Sequence, residues 1–150
     1  MVAAKVTWIL LADGSGGRIL ANDGVGHGLS AVVGAVFSHV PRRDSDVYSD
    51  RPGRVHDSHG PGRHAAERPT SGAEQDRVSF AREIEAFLAA RSNAGDYDRL
   101  IVAAPPAFLG HLRAVRSKAV AERVHAEIAS DLTRADTAAL VEALGKHIAL

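Results

Sequence analysis

Hydrophobic positions in the first part of the chain fall into short runs that predict β-strands. Val6 to Ala12 is rich in β-branched and aromatic residues and is too short for a typical helix. Arg18 to Ala21 follows a glycine-rich turn at residues 13–17, and this spacing predicts a hairpin. A third run, Leu29 to Val40, follows a second break in the pattern. Together the runs predict an antiparallel meander of three strands.

The second half of the chain alternates between helical and strand-like patterns. Between Ala73 and Arg91, apolar residues recur at three- and four-residue spacing, which predicts an amphipathic helix. The run from Arg99 to Ala104 is almost entirely apolar and is typical of a buried parallel strand. Pro106 follows this run and suits the first turn of another helix.

Two more elements complete the predicted order. The stretch from Val120 to Ile128 ends in alternating apolar and polar residues and predicts an edge strand. A last helix is expected from about Thr137 to Ile148, with Asp136 as its N-cap. The fold class is therefore α/β, with a mixed five-stranded sheet. In this sheet the meander precedes an αβαβα unit, and helices cover the faces through right-handed crossovers.

The apolar pattern disappears between residues 41 and 72. This segment contains Pro41, Pro52, Pro61 and Pro69 together with several glycines, and it has almost no large apolar residues. Because such a stretch cannot bury a core of its own, it predicts one long flexible loop. Loops of this length in compact domains are usually functional or mobile.

Composition and charge narrow the function classes. A chain of 150 residues fits a single domain, which we expect to span residues 1–150. Basic and acidic residues both number 18, so the net charge is zero and any anion site must be local. The absence of cysteine excludes disulfides, thiolate metal sites and a cysteine nucleophile. We find neither an export signal nor a long apolar run, so we expect a cytoplasmic protein without membrane insertion.

The predicted loop concentrates arginine side chains between glycines. Glycine lets backbone N–H groups approach a ligand closely, and a guanidinium can bind two phosphate oxygens at once. This pattern predicts contact with phosphate or with an RNA backbone. In the alternative interpretation these side chains are solvated, and nearby carboxylates balance their charge. The candidate contact residues are Arg51, Arg54, Gly60, Gly62, Arg63, His64 and Arg68.

The same loop holds residues that suit other chemistry. His64 is the candidate general base, because an imidazole titrates near neutral pH. Ser58 has no assignable partner for nucleophilic catalysis, and a turn-capping role is favoured for it. The sequence leaves open whether the chain is an enzyme. We predict no metal or cofactor, because no recognised zinc spacing is present. The potential ligands weighed for a metal are His56, Asp57, His59, His64 and Glu67.

Two further motifs lie at the ends of predicted strands. Asp13 could hold Mg²⁺ together with Asp98, as clustered carboxylates do in ribonuclease H-like nucleases. A hairpin turn explains Asp13 fully, however, and is the favoured interpretation. The stretch from Pro105 to Gly110 could line a pocket at the carboxyl end of a strand. We favour a structural role for it, with Phe108 and Leu109 in the core.

Several separated motifs of the chain resemble those of the bacterial host attachment protein family. The resemblance covers nearly the whole chain, and the motifs occur in the family's order. Proteins of that family are named for a requirement in attachment to host cells, so the resemblance implies a protein partner in attachment. The motifs are residues 6–14 (VTWILLADG), 51–58 (RPGRVHDS), 60–67 (GPGRHAAE), 98–110 (DRLIVAAPPAFLG), 112–113 (LR) and 131–133 (DLT).

That family is similar in turn to the middle domain of archaeal and eukaryotic peptide-chain release factors. The likeness implies a release-factor middle-domain or ribonuclease H-like topology, with a critical loop ahead of a long helix. In release factors the loop reads roughly His-Gly-Arg-Gly-Gly-Gln, whereas residues 59–64 here read HGPGRH. Arg63 and His64 stand in the region of the glutamine that orients the attacking water. The resemblance therefore implies association with RNA or the ribosome, and peptidyl-tRNA hydrolysis by the release-factor mechanism is not expected. The alternatives are a protein-interaction factor in host attachment and a hydrolase that uses His64.

Overall fold

A single mixed β-sheet organises the part of the chain that a computed structural model describes, residues 4–39 and 72–150. Its strands are β1 (Thr7–Ala12), β2 (Gly16–Asn22), β3 (Ser30–Ser38), β4 (Arg99–Ala103) and β5 (Val124–Ile128). The spatial order is β3-β2-β1-β4-β5. β1, β2 and β3 pair antiparallel, while β4 is parallel to both β1 and β5. The predicted α/β fold, with its meander and mixed five-stranded sheet, is confirmed.

Helices lie on both faces of this sheet. They are α1 (Gly72–Asn93), α2 (Pro106–Val115), α3 (Lys118–Ala121) and α4 (Thr137–Leu144). Pro106 is the first residue of α2, as predicted. No helix in residues 4–39 and 72–150 has both the length and the apolar character needed to cross a membrane.

The first face of the sheet packs against α1, α2 and α3. Trp8 and Leu10 of β1 point to this face. Ile9 and Leu11, which alternate with them, point to the opposite face. All of β1 is therefore buried, which explains why its residues 8–12 are continuously apolar instead of alternating. The helical residues that pack on this face are Phe80, Ala81, Ile84, Leu88, Phe108, Leu109, Leu112 and Val120.

The second face is covered by α4 and the residues that follow it. Leu140, Leu144 and Ile148 pack against strand residues that include Ile9 and Ile101. α4 has only eight residues. Its buried side chains, Leu140 and Leu144, meet the strands of the sheet centre, and the outer strand β3 keeps Val33 and Val36 exposed.

Buried polar groups tie α1 to the rest of the first face. The carboxylate of Glu85 accepts hydrogen bonds from the backbone N–H and the hydroxyl of Ser117, at 2.8 and 2.7 Å. The fully buried Tyr97 donates its hydroxyl to the carbonyl of Leu88 at 2.9 Å. Burial raises the pKa of Tyr97 to about 12. These bonds fix the far end of α1 against α3 and against the start of β4.

The predicted strand from Val120 to Ile128 is wrong at its beginning. Val120 lies in α3, and its backbone N–H donates a hydrogen bond to the hydroxyl of Ser117, the N-cap of that helix, at 3.3 Å. The side chain of Val120 is buried in the first-face core, and the strand begins only at Val124. A one-turn helix is too short to show a helical period, so the N-cap decides the local structure.

The predicted last helix begins correctly and ends too late. The carboxylate of Asp136 accepts a hydrogen bond from the N–H of Ala139 at 2.9 Å, which confirms it as the N-cap. α4 ends at Leu144, and Gly145 is its C-cap. Ile148 is nevertheless buried in the second-face core. Its apolar character reflects burial beyond the helix and not helical structure.

Candidate functional site

One edge of the sheet collects the carboxyl ends of β1, β3, β4 and β5, and we call it the carboxyl edge. In α/β sheets, ligands commonly bind in crevices outside this edge. Asp13 follows β1, His39 follows β3, and Pro105 lies between β4 and α2. Residues 129–136 follow β5. The carboxyl edge is therefore the candidate functional site.

The turn between β1 and β2 is a tight polar loop at this edge. The Oδ1 atom of Asp13 accepts hydrogen bonds from the N–H of Ser15, the hydroxyl of Ser15 and the N–H of Gly16, at 2.8 to 2.9 Å. The N–H of Asp13 donates to the carbonyl of Gly16 at 2.9 Å. The turn interpretation of Asp13 is confirmed, and β2 begins at Gly16, two residues before the prediction.

Asp98 lies at the opposite edge of the sheet from Asp13. Its Oδ2 atom accepts a hydrogen bond from the N–H of Val6, just before β1, at 2.8 Å. Because β1 and β4 are parallel, the residue after one strand and the residue before the other are at opposite ends. The alternative of a shared Mg²⁺ site is therefore wrong for this pair. Within residues 4–39 and 72–150, no cluster of His, Cys, Asp or Glu could hold a metal ion.

His39 is held against both the β1–β2 turn and α1. Its backbone N–H donates to the carbonyl of Ser15 at 2.8 Å. Its ring stacks on Phe80, with centroids 5.1 Å apart and planes inclined by 14°. Phe80 in turn lies 5.8 Å from the ring of Phe108 at the start of α2. An aromatic row therefore joins the end of β3 to two helices at the carboxyl edge.

The first turns of α1 lie at the same edge. The side chain of Arg77 passes over Gly14, so that a Cβ added to Gly14 would lie 3.1 Å from Cδ of Arg77. Any larger residue at position 14 would displace this arginine. Residues 39 and 72, which flank the segment 40–71, therefore both belong to elements that are fixed at the carboxyl edge.

The sequence-predicted contact residues lie outside the described residues. This applies to Arg51, Arg54, Gly60, Gly62, Arg63, His64 and Arg68, and to the weighed residues His56, Asp57, Ser58, His59 and Glu67. The stretch from Pro105 to Gly110 is described. Its Phe108 and Leu109 are buried in the first-face core, so the favoured structural interpretation is confirmed.

Two arginines that sequence reasoning did not single out line a groove beside the β1–β2 turn. Arg18 extends from β2 across the second face, and its Nη2 atom donates to the carbonyl of Ala135 at 3.4 Å. Arg134 lies in the loop after β5 and lines the same groove. The only sequence feature that could have pointed to a ligand here was the pair of glycines before Arg18, and we assigned these glycines to the hairpin turn.

The charge of Arg134 reaches the carboxylate of Asp13. Partial burial raises the pKa of Asp13, but the hydrogen bonds from Ser15 and Gly16 outweigh burial, and Arg134 adds to them. The pKa of Asp13 is therefore lowered from its ordinary value. The ionised form of this side chain stabilises the turn.

Removal of the negative charge of Asp13 should make the free energy of unfolding less dependent on pH. Because the pKa of Asp13 is lowered in the folded state, its contribution is complete above the pKa of the unfolded chain, about 3.9. The contribution is lost as the pH falls through the folded-state pKa. We expect Asp13→Asn to cost less than about 1 kcal/mol at neutral pH, because solvent screens this partly exposed group, and nothing at strongly acidic pH.

Urea unfolding of Asp13→Asn and the wild type across the acidic range would measure this difference. Glu142→Gln, which removes an exposed carboxylate of α4, is the matched control and should show no such convergence. A difference between Asp13→Asn and the wild type that grows toward low pH would contradict the assignment.

A known protein family matches the sequence over all the strands and helices described above. A model of bacterial archaeo-eukaryotic release factor family 12 matches residues 6–144. The matched range begins one residue before β1, ends with α4 and includes the segment 40–71. No curated protein matches the chain.

Proposed function

The chain belongs to bacterial archaeo-eukaryotic release factor family 12, and on that basis we propose that it is an RNA- or ribosome-associated module. Its contact surface is the segment from Arg51 to Arg68. The contacts are made by Arg51, Arg54, Arg63, His64 and Arg68, with Gly60 and Gly62 allowing close approach.

The observation that carries this proposal is the local excess of arginine within a release-factor-like domain. The net charge of the whole chain is zero, so no general basic field attracts nucleic acid. The four arginines between residues 51 and 68 supply a local positive charge instead, and guanidinium groups form paired hydrogen bonds with phosphate oxygens. Residues 59–64 lack the Gly-Gly-Gln of release factors, so we propose binding without release-factor hydrolysis.

The position of the flanking elements supports the proposal. His39, which directly precedes residues 40–71, donates its backbone N–H to the carbonyl of Ser15 and stacks on Phe80. Gly72, which directly follows them, begins α1, whose Arg77 lies over the β1–β2 turn. The two residues that flank residues 40–71 therefore both lie at the carboxyl edge, where α/β sheets present functional loops.

RNA affinity as a function of salt tests this proposal. Fluorescence anisotropy with a short single-stranded RNA would compare the wild type with Arg63→Ala. We expect weaker binding and a slope of log affinity against log salt that is smaller by about 0.7, because one phosphate contact is lost. Arg82→Ala removes an exposed arginine of α1 and is the matched control.

Equal affinities and slopes in the wild type and both variants would contradict the proposed contact surface. Turnover of an ester or phosphate substrate that His64→Ala abolishes would identify a hydrolase instead. Absence of RNA binding together with capture of a defined protein partner by the same segment would favour the interaction role in host attachment, which stays a prediction.

A further inference from the structure

The outer strands of the sheet and the loop after β5 enclose an open groove on the second face. Residues of β2 and β3 form its floor, and residues 133–137, at and before the start of α4, form its wall. Arg18 lines both ends of the groove. The end next to the β1–β2 turn has a volume of about 300 Å³, and the end next to Leu140 about 320 Å³. Both volumes fall in the range of small-molecule sites, roughly 300–1,000 Å³.

Neither arginine of this groove forms a salt bridge with a carboxylate of residues 4–39 and 72–150, although the charge of Arg134 helps to lower the pKa of Asp13. Arg18 makes one long hydrogen bond to Ala135, and its Nε atom is buried without a hydrogen-bond partner in the described part of the chain. Arg134 is exposed at the rim. The buried Nε is out of reach of a ligand in the groove, but a guanidinium carries four further N–H groups on its two terminal nitrogens, and these can donate to an anion.

The aspartates around the groove are already used by local turns. Asp13 accepts three hydrogen bonds from the β1–β2 turn. Asp131 accepts from the N–H and the hydroxyl of Thr133, and Asp136 caps α4 through the N–H of Ala139. These carboxylates stabilise the walls of the groove, while the guanidinium groups of Arg18 and Arg134 remain available to an anion.

We propose that this groove binds the phosphoryl group of a nucleotide between Arg18 and Arg134. A guanidinium donates paired hydrogen bonds to phosphate oxygens, and two guanidinium groups that line the same end of the groove match the charge of a phosphomonoester. The hydroxyls of Ser15 and Thr133 at the same end already donate to Asp13 and Asp131, so the phosphoryl oxygens bind to the two guanidinium groups.

The other end of the groove suits the nucleoside. Leu20, Leu29 and Leu140 give it an apolar surface, and Ser30 and Thr137 stand among them with hydroxyl groups. Most ligand sites combine such an apolar lining with a few polar groups that fix orientation. The groove lies on the second face, whereas His39 and α1 belong to the first. The proposal therefore uses only residues of the second face and none from Arg51 to Arg68.

Nuclear magnetic resonance titration of the full chain tests the site. Amide signals of Gly16, Gly17 and Thr133 would be followed during addition of inorganic phosphate, AMP or adenosine. A short oligoribonucleotide without terminal phosphate distinguishes a phosphodiester of RNA from the phosphomonoester of a free nucleotide. We expect saturable shifts with phosphate and AMP, tighter binding of AMP, and an affinity for AMP that is about tenfold lower in Arg134→Gln.

Control variants separate the site from general ionic effects and from misfolding. Arg82→Gln removes an exposed arginine of α1 and should bind AMP as the wild type does. Arg18→Gln removes the charge of Arg18, and Arg18→Lys, which keeps a positive charge, takes its place if that variant fails to fold. The fluorescence of the buried Trp8 reports the fold of each variant.

Three results would overturn the proposal. Shifts that increase linearly without saturation would mean that no site is present. Equal binding by adenosine and AMP would show that the groove does not recognise the phosphoryl group. An unchanged AMP affinity in folded Arg134→Gln and Arg18→Lys would place the bound phosphate elsewhere. Saturable binding of either AMP or the oligoribonucleotide that is lost in Arg134→Gln supports it and identifies the source of the phosphoryl group.

Discussion

Replacement of Phe80 with alanine is expected to lower the free energy of unfolding by about 3–5 kcal/mol. The ring is 1% exposed and lies in the first-face core. It contacts the rings of His39 and Phe108, with centroid separations of 5.1 and 5.8 Å. Truncation removes both ring contacts and leaves a cavity between α1, α2 and the end of β3. Urea unfolding followed by Trp8 fluorescence would measure the loss.

A matched exposed position provides the control for this substitution. Val33 in β3 is 94% exposed, so Val33→Ala should change the free energy of unfolding by less than about 0.5 kcal/mol. Similar small effects for Phe80→Ala and Val33→Ala would contradict the packing described for α1. The same outcome would leave the hydrogen bond to Ser15 as the one contact described here that ties His39 to the carboxyl edge.

The second large effect is expected at Leu144 of α4. Its side chain is 0% exposed and packs with Ile9, Leu11 and Ile101 in the second-face core. Leu144→Ala should therefore lower the free energy of unfolding by about 2–5 kcal/mol. Because α4 holds residues 133–137 against the sheet, the variant should also weaken AMP binding in the groove. Urea unfolding and the AMP titration would measure the two effects separately.

Val141 is the internal control, because it lies on the same helix and is 43% exposed. Val141→Ala should cost less than about 1 kcal/mol. If Leu144→Ala and Val141→Ala were equally stable, α4 would not pack on the second face in the way described. A Leu144→Ala variant that keeps full stability but loses AMP binding would contradict the same packing.

The sequence predicted the sheet well where hydrophobic pattern and burial agree. Residues 8–12 of β1 and 100–103 of β4 are continuous apolar runs, as expected for strands that are buried on both faces. The prediction of both as strands, the second a buried parallel strand, is confirmed. The helical period over residues 73–91 predicted α1 because only one of its faces packs on the sheet. Local caps also carried information, since Asp136 marks the start of α4 correctly.

The prediction failed where the structure depends on contacts that leave no periodic pattern in the sequence. Val120 belongs to a one-turn helix that the core and the Ser117 cap stabilise, and no periodic pattern could show this. The groove brings Arg18 next to Ala135, 117 positions away in the chain. A single sequence does not reveal such proximity, so Arg18 and Arg134 were not singled out. The candidate residues from Arg51 to Arg68 rest on composition, family resemblance and the position of their flanking elements.

Co-sedimentation with bacterial ribosomes tests the central claim most directly. The purified wild type and an Arg63→Ala/His64→Ala variant would be centrifuged with ribosomes at low and at high salt, with Arg82→Ala as the control. The proposed RNA contact predicts that the wild type and Arg82→Ala pellet with ribosomes at low salt. It also predicts that pelleting is lost at high salt and in the double variant. A wild type that stays in the supernatant at low salt, or a double variant that pellets equally well, would contradict it.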